Sequence, residues 1–147
     1  MITKPDLKKL INRYVTDSDV LLANRRYASS IYLGGYAVEL ALKYRICKLL
    51  QFGYGYPEND IEFNRYTKGK SRFTGTTIKR IKDLKTHNLS GLLFYSGEQI
   101  NITTNFLAEW NIIKSWDVFM RYNPAIVRKV KAVSFYNAAK ILVGKLL

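Results

Sequence analysis

Glu39 and Lys43 stand one helical turn apart inside residues 27–50, a segment apolar on every side. Charges in such surroundings are costly unless paired, so they call for a partner. The spacing allows an intrahelical ion pair, which stabilises an exposed helix by only about 0.2–0.5 kcal/mol. Other reactive types are scarce. The sole histidine, His87, and the sole cysteine, Cys47, leave no His-rich or Cys-based zinc set. No P-loop or Gly-x-Gly-x-x-Gly sequence occurs, and Gly34-Gly35 falls in mid-helix, where it cannot cradle phosphate. The carboxylates show no pairing that suits acid–base work. No cofactor and no metal is expected.

The chain has a net charge of +13, and the charge is concentrated. Residues 65–85 carry eight basic groups against Asp83 alone. A polyanion, most commonly a nucleic acid, is the natural partner for such a stretch. Lys70, Arg72, Lys79, Arg80 and Lys82 are the cations expected to attract phosphate. Tyr54, Tyr56, Phe63, Tyr66 and Phe73 interleave with them, a mixture that suits single-stranded nucleic acid through stacking. The same composition also describes a solvated basic loop whose aromatic side chains dock back on the core.

The elements that must position these groups read as helices. Thr3 and Asp6, with Pro5 in the first turn, start a helix over residues 5–23. Its apolar stripe is Leu7, Leu10, Ile11, Tyr14, Leu21 and Leu22, and residues 16–19 could bend it. A short polar connection then requires an antiparallel second helix over residues 26–52. Its two glycines cost about 1 kcal/mol each relative to alanine, which close packing of another helix or a ligand would explain. Residues 53–86 lose periodicity and read as a long basic loop. A third helix covers residues 88–95 and is ended by Ser96-Gly97. A fourth covers 103–122, with Phe106, Leu107, Trp110, Ile113 and Met120 inward. A fifth is capped by Asn123 with Pro124 at its first position, and buries Ile126, Val130, Val133, Ile141 and Leu142. The expectation is a single all-α domain, residues 1–147, built as an antiparallel up-and-down bundle of about five helices. The first residues lack the apolar core of a signal peptide, and no apolar run reaches the roughly 20 residues of a membrane span. Cys47 in the apolar helix reads as core packing in a reducing cytoplasm.

Three pieces stand in order: Gly35-Tyr36-Ala37-Val38-Glu39-Leu40-Ala41-Leu42-Lys43, Lys85-Thr86-His87-Asn88-Leu89-Ser90-Gly91-Leu92-Leu93, and Arg121-Tyr122-Asn123-Pro124. In this order and spacing the chain resembles the HEPN family, over nearly its whole length outside the 53–84 loop. The resemblance implies a helical bundle, usually dimeric, associated with nucleotides or RNA. Many members are ribonucleases of toxin–antitoxin or phage-defence systems. Others are binding modules paired with a minimal nucleotidyltransferase, and some have lost catalysis.

The ribonuclease members carry an Arg followed, after four to six residues, by a His near the final helices. Arg121 stands at the family's Arg position, and Asn123 is the accompanying polar group. The residues that follow include no histidine. Arg80 and His87 meet the spacing, but at the junction of the loop with the third helix. The resemblance therefore implies a nucleotide- or RNA-binding protein of degenerate catalysis; an active one would be a metal-independent endoribonuclease. A homodimer through the apolar helices is expected, and the alternative is a non-catalytic module with a protein partner such as a nucleotidyltransferase. On this reading Arg121 contacts phosphate, Glu39 pairs with Arg121 at the mouth of a polar cleft, and Tyr36 lines the same face. Lys43 belongs to the same ligand-facing group. His87 either caps the third helix or meets the nucleotide or Arg121.

Overall fold

The computed structural model describes residues 1–68, 78 and 80–147. Among them the chain is mostly helical, with one two-stranded ribbon. Helix α1 spans Lys4–Ala23, and the Thr3 side chain accepts the Asp6 N–H at its start. It is one continuous helix through residues 16–19. Ser18 explains why a polar residue is buried there: its hydroxyl donates to the Ser30 carbonyl, and the Ser30 hydroxyl donates to the Ser18 carbonyl, both at 2.8 Å. This reciprocal pair satisfies four polar groups between two packed helices, where an unpaired one would cost about 1–3 kcal/mol.

Helix α2, Tyr27–Leu49, follows after a three-residue turn and forms the axis of the molecule. It packs against α1 and, further along the chain, against α5 (Leu89–Ser96) and α8 (Lys129–Leu146). Ile31, Val38, Leu42 and Ile46 are almost fully buried. Each side chain of this kind contributes about 1.5–3 kcal/mol relative to exposure. These apolar side chains of α2 are thus buried inside one chain. The glycine pair serves helix packing. A Cβ on Gly35 would overlap the indole of Trp116, while Gly34 faces Ser18 and Phe135 at ordinary to tight contact. Phe135 lies beside Gly34 and the Leu147 carbonyl accepts from Lys48 Nζ, so α8 runs parallel to α2. The bundle is therefore not a simple up-and-down one.

Residues 53–86 are not one loop. Gly55–Tyr56 (β2) pairs antiparallel with Ile2–Thr3 (β1), in the register Ile2 to Tyr56. Helix α3 spans Asp60–Thr67, where the Asn59 side chain accepts the Glu62 N–H. The one-turn helix α4 spans Ile81–Leu84. These elements are too short for helical periodicity to register in a long window. Tyr56, Phe63 and Tyr66 are buried, so they dock on the core, whereas Tyr54 is exposed. Phe73 lies outside the described residues.

The region read as one fourth helix is three pieces: α6 (Gln99–Asn105), α7 (Leu107–Ile113) and a 3-10 turn, Val118–Tyr122. Phe106 leaves the helical region at φ −133°, ψ 33° and breaks the first from the second. Asp117 accepts the Phe119 N–H at 2.7 Å and starts the last. Trp110 and Ile113 are buried, but Leu107 is exposed.

Helix α8 begins at Lys129, not at Pro124. Asn123 is no helix cap; its side chain accepts the Ala125 N–H at 3.0 Å in a local turn. Asn offers the backbone this alternative to helix wherever it stands. The buried face of α8 is Ala132, Phe135, Ala138, Ala139, Leu142, Val143 and Leu146. Ile126, Val130 and Ile141 are exposed instead. α5 matches its expected span closely: Asn88 accepts the Gly91 N–H, and Gly97, at φ 75°, supplies the left-handed stop. No helix of the described residues is long and apolar enough to cross a membrane.

Candidate functional site

Tyr32, Tyr36, Glu39 and Lys43 recur every three or four residues along α2, so they share one stripe. The segment joining α4 to α5 lays His87 against that stripe, and the 3-10 turn brings Arg121 to its other end.

Glu39 is 1% exposed. Its two carboxylate oxygens are each taken by one cation or ring: Lys43 Nζ lies 2.7 Å from Oε1, and His87 Nδ1 lies 2.9 Å from Oε2. The Lys43 side chain is 13% exposed and that of His87 is 54% exposed. A buried carboxylate is costly unless paired and hydrogen-bonded, and here each oxygen has one partner. An ionised carboxylate can only accept, which would place a proton on Nδ1; among the described residues, Nε2 has no hydrogen-bond partner. The ring meets Tyr36 edge-on at 6.1 Å between centroids.

Arg121 does not pair with Glu39. Its Nη1 reaches the Tyr32 hydroxyl at 3.5 Å, and its guanidinium lies 4.7 Å from the centroid of the Tyr122 ring. Tyr32 in turn donates to the Tyr36 hydroxyl at 3.4 Å. Burial pushes the Tyr36 phenol well above the ordinary tyrosine range, and its hydrogen-bonded neighbour Tyr32 adds to this. The Tyr32 hydroxyl holds the Arg121 guanidinium above its ordinary value. Tyr36 lies within electrostatic reach of both Glu39 and Arg121, and it separates them. Trp116, Tyr14 and Tyr32 pack around Tyr36 at 5.1, 6.0 and 5.1 Å between centroids.

His87 forms the rim between two clefts. One, of about 330 Å³, has Glu39, Lys43, Tyr56 and Lys85 among its walls. The other, of about 640 Å³, is walled by Lys85, Asn88, Lys114, Asp117 and Phe119 among others. Lys85, Lys114, Trp116 and Tyr32 are therefore part of the site although their types alone did not single them out. Lys85 had a signal, as the first residue of the Lys-Thr-His stretch. Lys114 and Trp116 had none, because the break after α7 places them.

The remaining sequence candidates separate. Asn123 is exposed and engaged in its own turn. Arg80 precedes α4, where its N–H donates to Asp83, and Lys82 is exposed on α4. Lys70, Arg72 and Lys79 lie outside the described residues. His87 does not cap α5; Asn88 does. Cys47 is buried, and burial pushes its thiol up to about 12, in keeping with a packing role. Among the described residues, no three His, Cys, Asp or Glu side chains group as metal ligands would.

Comparison with known proteins finds no family model, no curated protein and no solved structure that matches the chain.

Proposed function

We propose that this chain is a HEPN-like protein that binds nucleotide or RNA phosphate at the clefts flanking His87. The observation that carries the reading is the buried Glu39 carboxylate, which holds Lys43 on one oxygen and the exposed His87 ring on the other. Lys85 and Lys114 stand on the adjoining wall, so an anion entering there beside His87 meets two ammonium donors. Phosphate recognition needs such convergent cations and fixed donors. Arg121 contributes from the far side of Tyr36.

The test is binding of a labelled eight-nucleotide RNA to the wild type, His87→Ala and the Lys85→Ala/Lys114→Ala pair, across a salt series. Binding should weaken with salt, and each lysine that contacts phosphate should reduce the slope by about 0.7 when removed. Equal affinity and slope in all three proteins would refute the site. Following the same RNA on a gel decides whether His87, with its free Nε2, also moves protons in cleavage.

A second reading, a non-catalytic interaction module with a protein partner, is favoured by the apolar side chains left exposed from Phe119 to Val130.

A further inference from the structure

Within twelve residues, Phe119, Tyr122, Ile126 and Val130 are 70%, 68%, 95% and 77% exposed. Single exposed apolar residues are ordinary, but four within twelve residues call for an explanation. Part of the backbone between them is irregular: the Asn123 N–H donates to the Met120 carbonyl and the Arg128 carbonyl accepts from Ala132, but the residues between leave ladder positions open. Asn123 and Arg128 are both extended, and residues 123–128 belong to no helix or strand. Among the described residues, no hydrogen bond engages the N–H groups of Ile126, Val127 or Arg128. Val127 packs towards the core, whereas its neighbours Ile126 and Arg128 are exposed. An extended edge of this kind accepts a second strand, with backbone bonds for affinity and alternate side chains for specificity.

Charge selects the occupant. Arg128, Lys129 and Lys131 flank Ile126 and Val130, and no acidic residue follows Asp117. A second copy would set these cations against themselves, which is destabilising. A nucleic acid would satisfy the cations and could stack on Phe119 and Tyr122, but it would leave Ile126 and Val130, the two most exposed of the four, idle, because aliphatic chains offer no flat face for a base. We infer that residues 119–130 form a docking edge for an acidic polypeptide segment carrying apolar side chains between its carboxylates.

The experiment is selection of displayed twelve-residue peptides on the immobilised full-length protein, followed by affinity measurement with one synthetic winner. Winners should alternate Asp or Glu with Leu, Ile, Val or Phe. Ile126→Ser/Val130→Ser, which alters only exposed side chains, should bind the winner at least about tenfold more weakly and melt within a few degrees of wild type. His87→Ala should bind it unchanged, because Ile126 and Val130 line neither cleft beside His87, although Phe119 borders the larger one. The inference is overturned if no peptide is enriched, if winners lack carboxylates, or if the double variant binds them as well as wild type. It is also overturned if the wild type is a dimer by light scattering and the double variant a monomer, since a second copy then covers the edge. Loss of RNA binding in the double variant would overturn it too, in favour of nucleic acid.

Discussion

Removing the Glu39 carboxylate tests the centre of the site directly. Glu39→Ala leaves the Lys43 ammonium, 13% exposed, without its anion, and it frees the His87 ring. Breaking a buried pair by deleting one partner costs about 3–5 kcal/mol, because the remaining charge stays desolvated. For a domain of this size that lowers the melting temperature by about 6–20 °C. Replacing both charges behaves differently. Glu39→Leu with Lys43→Met presents apolar side chains of similar volume to an apolar neighbourhood, and such exchanges are often neutral or stabilising. The double variant should therefore recover most of the stability lost in Glu39→Ala. Urea unfolding followed by circular dichroism gives all three values on one scale. A Glu39→Ala loss below about 1 kcal/mol would refute the reasoning, since it would mean that water, not Lys43 and His87, compensates the carboxylate. Failure of the double variant to recover would show instead that the His87 bond carries the stabilisation. Either protein should bind RNA less well than wild type if a fixed His87 ring matters to the site.

The two glycines of α2 should part company. Gly35→Ala forces a Cβ into the Trp116 indole and should cost about 1–3 kcal/mol with a red shift in tryptophan emission, whereas Gly34→Ala should be close to neutral, its gain in helix propensity offsetting tight contact with Ser18; equal effects would contradict the packing. Cys47, its thiol pushed up to about 12 by burial, should react with a disulfide reagent at pH 8 only as fast as the protein opens, and immediate stoichiometric labelling would contradict its burial. The Glu62 carboxyl is held below its ordinary value of 4.5, first by the Glu58 N–H and then by the Met1 ammonium. Its folded value is the lower one, so it stabilises the fold above pH 4.5 and the contribution fades as pH falls through the depressed value. Glu62→Gln should flatten that acid limb of the stability curve, and an unchanged limb would assign it to other carboxylates.

Local signals were legible where the chain satisfies them locally. Thr3 with Asp6 starts α1, and Asn88 with Gly97 brackets α5, because each cap needs only its own neighbours. The start of the last helix shows the limit of that logic. Asn123-Pro124 has the types of a helix start, yet the Asn side chain closes a turn on Ala125 and the helix waits until Lys129. Its buried stripe was hidden for a related reason. Ala132, Phe135, Ala139, Leu142 and Leu146 keep strict three- and four-residue spacing, but two are alanines, while the β-branched Ile126, Val130 and Ile141 that look most hydrophobic face out.

The candidate site divides along the same line. That a carboxylate buried in α2 must have a partner follows from the cost of burying charge, and it could be read from residues 27–50 alone. Which partner could not, because His87 is 48 residues away and Arg121 still further. Lone pairs settle it. Glu39 has two oxygens facing donors; Lys43 fills one and His87 the other, and Arg121 is left to the tyrosine hydroxyls. Tyr36 then acquires its role from position: burial keeps its phenol protonated through the physiological range, so it can receive the Tyr32 hydrogen and still stand neutral between the two charged centres. A histidine fixed on one side of that ring and an arginine on the other give two separate points of attachment. A ligand that uses both must therefore be long enough to pass Tyr36. That requirement favours an oligonucleotide over a mononucleotide, and it makes the length dependence of RNA binding in wild type and Arg121→Ala informative. Affinity should rise with length in the wild type and flatten in the variant; parallel curves would remove Arg121 from the site.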